Sequence, residues 1–318
     1  MLRVWKTEIF DKFKCVMGAC PSNCCDEDWQ ITIDDDTYDA FRKMNFPNLG
    51  EFISDSQPHL LIKKNHKCPF ITPEGLCMIH RDLGEDFLSE TCRSYPRFVS
   101  EYGDIFTETV GASCPEVARM LVTLNHSLNI KSETFYENAS EKGKKIPELE
   151  SEKVLKSVLI YFEGKIGLFD AFERAGEGFG ETEDLRQRDF ESILKGLWDE
   201  AKGVGGLEIY DELKLGDVTV SADDLNRIND ELFSKYRYLA VNICRNYLFE
   251  HIMYNENLDV KDYASTVRKA ELLIIIFYCA LLAGGNEELS QDYVIDRLYK
   301  TMRLVDHSES VLSDLLKI

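Results

Sequence analysis

The distribution of cysteine constrains this chain more than any other feature of its sequence. Eight of the ten cysteines lie in the first 114 residues, and the other two, Cys244 and Cys279, stand inside apolar helical patterns. The eight early residues are Cys15, Cys20, Cys24, Cys25, Cys68, Cys77, Cys92 and Cys114. Because they occur in loop-rich sequence with little apolar pattern to bury inert thiols, we interpret all eight as candidate ligands of a metal centre.

The chain has the composition expected of a cytoplasmic protein. We expect no secretory signal at residues 1–8, and the longest apolar run, residues 272–283, is shorter than the ~20 residues of a membrane span, so it predicts a buried helix. Cytoplasmic thiols are normally reduced, which favours metal binding over a disulfide framework. The net charge is −20, and no Lys/Arg patch indicates a nucleic-acid or anionic-membrane partner.

The spacing of the thiols leaves the metal open. Thiolates favour Zn, Cu(I) or iron–sulfur clusters, and the gaps differ from the paired knuckles of structural zinc sites. The adjacent residues Cys24 and Cys25 suit a polynuclear cluster, or one ligand beside one packing thiol. A cubane held entirely by protein needs four thiolates. His66 and His80 lie near the second group of cysteines, so a mixed Cys/His zinc site is also open.

The hydrophobic pattern predicts a mostly α fold, with a loop-rich, Cys-rich N-terminal region containing short β elements and a helical bundle after it. In the N-terminal region, residues 29–34 alternate like a strand, residues 34–44 predict a short helix, and residues 98–110 predict a hairpin around Gly103. We expect a Cys-rich metal or iron–sulfur domain at residues 1–125.

The second half predicts helices only. Apolar residues from Leu155 to Phe169 recur at helical spacing, and Ser221 to Asp224 has the form of a capping box that opens a long helical pattern through Ile243. Helices near 262–283 and 289–316 complete a bundle. We expect this helical domain to occupy residues 126–318, with a polar connector at 137–145.

Two arginines beside Cys92 are candidate cofactor-binding residues. Arg93 and Arg97 carry guanidinium groups that can pair with cluster charge or bind a carboxylate bidentately. Ordinary ion pairs are the alternative, and we favour that alternative for Arg81.

Three segments of the Cys-rich region carry specific motifs. The first runs from Phe13 to Asp34, the second comprises residues 68–80 and 85–97, and the third is the Cys114-Pro115 step. Together they resemble the flagellin lysine-N-methylases. They are also similar to a zinc- or iron-chelating domain, whose Cys-x3-Cys-x2-Cys-Cys spacing is loosened here to x4 and x3.

The resemblance implies methyl transfer from S-adenosylmethionine to lysine side chains of flagellin, with a [4Fe-4S] cluster held by some of the eight cysteines. The Cys-x3-Cys-x2-Cys run of radical S-adenosylmethionine enzymes is not present. Residues 176–180, with three glycines, follow a helical pattern, so we interpret them as a helix terminus rather than a nucleotide loop.

The proposed chemistry needs a neutral lysine amine, whose ordinary pKa is about 10.4, so desolvation or a base must remove its proton. Tyr95, Tyr102 or a carboxylate are candidates, and we assign no catalytic residue. The alternative is a non-enzymatic zinc- or iron-chelating module that binds a protein partner.

Overall fold

A computed structural model describes residues 1–26, 31–64, 67–136, 148–180, 183–204, 207–253, 260–285, 288–306 and 311–317. The described residues are mostly α-helical, which confirms the predicted fold class. The strands are β1 (Leu2–Thr7), β2 (Thr32–Ile33), β3 (His59–Leu60), β4 (Arg97–Tyr102), β5 (Ile105–Val110) and β6 (Ile130–Phe135). The predicted connector at 137–145 lies outside the described residues.

The helices follow in chain order. They are α1 (Asp35–Lys43), α2 (Leu49–Phe52), α3 (Met78–Leu83), α4 (Glu90–Ser94), α5 (Pro115–Thr123), α6 (Glu150–Leu159), α7 (Leu168–Glu177), α8 (Phe190–Val204), α9 (Leu207–Glu212), α10 (Ala222–Lys235), α11 (Leu239–Met253), α12 (Val260–Leu282), α13 (Gln291–Asp306) and α14 (Val311–Leu315).

The chain forms two compact units. We call Met1–Phe13, Arg97–Ser113 and Val117–Ile318 the helical unit, and Lys14–Pro96 with Cys114–Glu116 the thiol unit. These limits differ from the expected division after residue 125. The reason is that β1, β4 and β5 pair in one sheet that belongs to the helical unit.

The sheet of the helical unit has the order β4-β5-β1-β6. Strands β4 and β5 form the predicted hairpin, and Gly103 supplies the left-handed turn with a φ of 60°. Strand β1 pairs parallel with β5 and antiparallel with β6, which places it inside the sheet. Residues far apart in sequence meet here, and neither β1 nor β6 was predicted.

A buried carboxylate fixes α6 to β1. Glu152, which is fully buried, accepts hydrogen bonds from Arg3 Nη1 at 2.6 and 2.7 Å and from Trp5 Nε1 at 2.5 Å. These charge-assisted bonds satisfy a carboxylate that would be costly to bury unpaired.

The turn after β1 has a second paired carboxylate. Glu8 accepts hydrogen bonds from His126 at 2.8 Å, from Asn129 at 3.0 Å and from Lys12 at 2.9 Å. Burial by itself would raise the pKa of Glu8, but the hydrogen bonds outweigh it and lower the pKa to about 2.

Helix α11 holds the helical unit together through buried polar side chains. Asn242 Oδ1 accepts from Leu128 N at 2.7 Å, and Asn246 Nδ2 donates to Val110 O at 3.0 Å. Arg245 donates to the carbonyl oxygens of three residues, namely Leu128, Leu159 and Phe162. Because α11 satisfies these backbone groups, it anchors the end of β5 and the end of α6.

The predicted capping box is confirmed, but the pattern that it opens is divided into two helices. Ser221 Oγ accepts from Asp224 N at 3.2 Å, and Asp224 accepts from Ser221 N at 3.1 Å. Helix α10 ends at Lys235 because Tyr236 leaves the helical region, with φ −134° and ψ 61°. The Tyr236 hydroxyl then donates to Leu289 O at 3.0 Å.

The apolar run at 272–283 begins in the C-terminal half of α12, which ends at Leu282, and its residues 272–281 are buried, as predicted. In the part of the chain that the structure describes, no helix has the length and apolarity that a membrane crossing requires.

Candidate thiol centre

The thiol unit is built on an aromatic core. The Phe70 ring lies 5.4, 5.8 and 6.4 Å from the rings of Phe52, Phe46 and Phe41, measured between centroids. Helix α1 packs on this core, and Asp34 caps it by accepting from Thr37 N at 2.9 Å. The helix predicted at 34–44 is therefore confirmed. The predicted strand at 29–34 is described only from residue 31 onward, where it is β2.

All eight candidate cysteines belong to the thiol unit, in the limits Lys14–Pro96 and Cys114–Glu116. Five of them influence one another electrostatically and therefore lie close together: Cys24, Cys25, Cys68, Cys77 and Cys92. We call these five the thiol group. The structure thus brings both predicted cysteine clusters to one place.

Short local elements position the first part of the thiol group. Cys24 and Cys25 lie in a 3-10 turn, where Asn23 Oδ1 accepts from Cys25 N at 2.9 Å. Cys68 N donates to Cys25 O at 2.8 Å, so a backbone hydrogen bond joins the two sequence clusters directly.

The other two members lie at the beginnings of short helices. Cys77 is the N-cap residue of α3, and Met78 N donates to Phe70 O at 2.7 Å. Cys92 lies in α4, and its backbone N donates to the capping side chain of Ser89 at 3.2 Å. Two further hydrogen bonds, from α4 residues to Asp34 and Thr32, fix this helix beside β2.

The thiols perturb one another's ionisation. Hydrogen bonding to Cys24 and Cys68 raises the pKa of Cys25, and the hydrogen bond with Cys25 lowers the pKa of Cys68. Burial raises the pKa of Cys77, and crowding of the Cys92 thiol by surrounding protein raises its pKa to about 11. When the neighbouring thiols carry one negative charge among them, Cys68 is therefore the residue most favoured to carry it.

The other three candidate cysteines, Cys15, Cys20 and Cys114, lie in the thiol unit but are not members of the thiol group. Cys15 is exposed, and its Sγ accepts from Met17 N at 3.4 Å. The half-buried Cys20 thiol donates to Ser22 O at 3.2 Å. Cys114 is buried immediately before α5.

Metal ligation by the eight cysteines stays a prediction. In the described ranges, no three or more His, Cys, Asp and Glu side chains form a set ready to hold a metal ion. His66 lies outside the described residues, and His80 is half-buried in the last turn of α3. Cys244 and Cys279 are core thiols, as the sequence indicated, each 1% exposed.

The two candidate arginines have different surroundings. Arg93 is exposed on α4. Arg97 Nη2 donates to Phe13 O at 2.9 Å, and its guanidinium lies 5.0 Å from the Phe13 ring and 5.7 Å from the Phe10 ring. These contacts fasten the start of β4 to the segment after β1 in the helical unit. Arg81 pairs with Asp82 at 2.6 Å, in keeping with its interpretation as an ordinary ion pair.

Sequence reasoning missed a titratable group on α11. Burial raises the pKa of Glu250 to about 7, and burial with the nearby charge of Lys269 lowers the pKa of His251 to about 4. The His251 ring lies 4.0 Å from the Tyr247 ring. The sequence does contain a sign of these groups, because Glu250 and His251 are adjacent titratable residues within the otherwise apolar run 247–253. Groups whose charged forms are disfavoured in this way are often functional.

The chain is similar to curated proteins of Salmonella. It is 26% identical over 137 residues to a lysine-N-methylase of Salmonella typhimurium strain LT2, which covers 39% of this chain and 33% of that protein. A lysine-N-methylase of Salmonella choleraesuis strain SC-B67 is 26% identical over 136 residues, which again cover 39% of this chain and 33% of that protein. The flagellar biosynthetic protein FliU of Salmonella muenchen is 28% identical over 123 residues, covering 35% of this chain and 71% of FliU.

The similarity therefore spans about a third of the length of the two methylases. No family model matches the chain. No solved structure matches it.

Proposed function

We propose that this chain is an iron–sulfur-cluster-containing, S-adenosylmethionine-dependent protein lysine N-methyltransferase that acts on flagellin. The observation that carries the proposal is its similarity to two proteins named lysine-N-methylase. The similarity to FliU, a flagellar biosynthetic protein by name, supports a flagellar substrate.

The chemistry of the thiol group supports a soft metal cofactor. Cys24, Cys25, Cys68, Cys77 and Cys92 offer five thiolates within electrostatic reach of one another, and a cubane held by protein needs four. In a cluster each thiolate binds a different iron, so its ligands stand further apart than the ligands of one ion. The donor set therefore fits a [4Fe-4S] cluster, with zinc as the alternative occupant of the same thiols.

The protein would hold the cofactor on the edge of the aromatic core. The hydrogen bonds of Cys25 N to Asn23 and of Cys92 N to Ser89 fix two of the ligand backbones before any metal binds. Of the two candidate arginines, we propose that the exposed Arg93 pairs with the carboxylate of S-adenosylmethionine, because Arg97 is already bonded to Phe13 O and lies over two aromatic rings.

The reaction makes one demand on the protein besides binding. The neutral amine of the substrate lysine attacks the sulfonium methyl group, a C–N bond forms, and the C–S bond breaks to release S-adenosylhomocysteine. One proton leaves the amine, so either a desolvating surface must lower the pKa of the substrate amine from about 10.4 or a base must accept the proton. Positioning of amine and methyl in line supplies much of the rest of the rate.

The test is methyl transfer under anaerobic conditions. Cluster-reconstituted protein is incubated with flagellin and S-adenosylmethionine, and the flagellin peptides are analysed by mass spectrometry. We expect methylated lysines, with loss of transfer in Cys68→Ala and retention in Cys244→Ala, since both remove a buried thiol but only the first removes a proposed ligand. No transfer by fully metallated protein would overturn the proposal.

A further inference from the structure

Two members of the thiol group are joined more closely than the rest. Cys68 N donates to Cys25 O at 2.8 Å, and the two side chains are hydrogen-bonded to each other. Each thiol is also held by neighbouring structure, since Asn23 fixes the Cys25 backbone and Cys68 lies in the core beside Phe70. The pair is therefore already aligned at both backbone and side chain.

This alignment fits a disulfide bond. The side chains of Cys25 and Cys68 are hydrogen-bonded to each other, and the backbone hydrogen bond of 2.8 Å holds the two residues together, so a small movement brings the two sulfur atoms to bonding distance. The neighbouring pair Cys24 and Cys25 is less suitable, because adjacent Cα atoms lie about 3.8 Å apart, below the range that disulfides span. Of the thiols in contact, Cys25 and Cys68 need the least movement to become bonded.

We propose that Cys25 and Cys68 form a reversible disulfide in the metal-free protein, and that this bond blocks loading of the thiol group. The blocking rests on the proposed function, because it takes both residues to be cofactor ligands. With Cys25 and Cys68 oxidised, three thiols of the group remain, fewer than a protein-bound cubane needs.

The oxidant is a small-molecule disulfide such as oxidised glutathione. The half-buried Cys25 is more accessible than the buried Cys68, so Cys25 reacts first. Its proton passes along the hydrogen bond to the Cys68 thiolate, and the Cys25 thiolate that is formed attacks the glutathione disulfide and releases one glutathione thiolate, which takes the proton from Cys68. The Cys68 thiolate then attacks the Cys25 sulfur and releases the second. Two electrons pass from the two protein thiols to the glutathione disulfide, and the two protons appear on the released thiols.

Peptide mapping tests the bond itself. The full chain is reduced, stripped of metal with a chelator, incubated with oxidised glutathione, alkylated and digested with trypsin. Cleavage after Lys14, Arg42, Lys67 and Arg81 gives peptides 15–42 and 68–81. We expect these two peptides to be linked, with the loss of two titratable thiols.

Single variants identify the partners within the linked peptides. Cys25→Ser and Cys68→Ser should each lose the link and keep one glutathione adduct on the remaining partner. Cys24→Ser and Cys77→Ser are matched controls from the same two peptides, and they should keep the link. A link that survives Cys25→Ser, or no link in the wild type, would overturn the proposal.

Metal uptake tests the block separately. Iron and sulfide incorporation should be almost completely lost in the oxidised wild type and restored by dithiothreitol. Cys244→Ala keeps all five thiols of the thiol group, so it should show the same loss after oxidation and the same recovery with dithiothreitol. Equal uptake by oxidised and reduced wild type would contradict the block. Neither readout uses methyl transfer, so a failure of the methyltransferase assay is distinguishable from a failure here.

Discussion

Replacing Phe70 with alanine tests whether the aromatic core holds the thiol unit together before metal binds. The Phe70 side chain is 5% exposed, and its ring contacts three other phenylalanines. Its backbone carbonyl also accepts the hydrogen bond of Met78 N at the start of α3. Cys68 belongs to the same hydrophobic cluster as Phe70, and Cys77 packs against that cluster, so loss of the ring weakens the packing around both.

The expected cost is a large part of the stability of a small domain. A buried Phe→Ala substitution costs about 3–5 kcal/mol, because the transfer free energy is lost and a cavity remains. A whole domain is stable by only about 5–15 kcal/mol. In the metal-free chain, we therefore expect amide hydrogens of the thiol unit to exchange about a hundredfold faster or more in Phe70→Ala.

Hydrogen exchange of peptides from residues 31–64 and 67–96, followed by mass spectrometry, measures this effect. The control is Met44→Ala in the same unit, where the removed side chain is 41% exposed and the expected change is within about 0.5 kcal/mol. If metal-free wild type exchanges like an unfolded chain, the core does not hold the unit, and metal does. Equal exchange in Phe70→Ala and Met44→Ala would show that the Phe70 ring does not hold the thiol unit together.

Three further predictions concern charge and ligation. Hydrogen bonds outweigh burial and lower the pKa of Glu8 from 4.5 to about 2. The free energy of unfolding of Glu8→Gln, measured with urea, should therefore be lower than that of wild type by up to about 3 kcal/mol at pH 7, and this difference should shrink as the pH falls from 4.5 through 2. The exposed Glu150→Gln should show no such change. Burial raises the pKa of Glu250 from 4.5 to about 7. As the pH rises from 4.5 to 7, the free energy of unfolding of wild type should therefore fall by up to about 3 kcal/mol relative to that of Glu250→Gln. A difference between the two proteins that stays constant with pH would contradict this. Cys68→Ala should reduce bound iron and Cys244→Ala should not, as iron analysis will show.

Local sequence signals predicted the local structure. Ser221 was recognisable as a cap because its side chain satisfies a backbone N–H group three residues later, and Asp34 does the same at the start of the helix predicted at 34–44. The hairpin at 98–110 was predictable from Gly103 between two alternating runs. These features depend on neighbours in sequence, which a pattern records.

Contacts between distant segments were not predictable in the same way. Strand β1 lies between β5 and β6, and its register depends on segments about a hundred residues away. For the same reason the sequence identified eight candidate cysteines but could not say that Cys25 meets Cys68, since that contact depends on the backbone hydrogen bond between them. Glu250 escaped notice because its environment is created by burial and not by its neighbours in sequence.

Iron and acid-labile sulfide analysis of anaerobically purified protein, together with its visible spectrum, tests whether the thiol group holds an iron–sulfur cluster. The proposed methyl transfer and the proposed redox block both require the thiol group to hold a cluster. We predict iron and sulfide in equal amounts, about four of each per chain, with a charge-transfer absorption that Cys68→Ala loses. Stoichiometric zinc without iron or sulfide would contradict the claim and favour a zinc-stabilised interaction module.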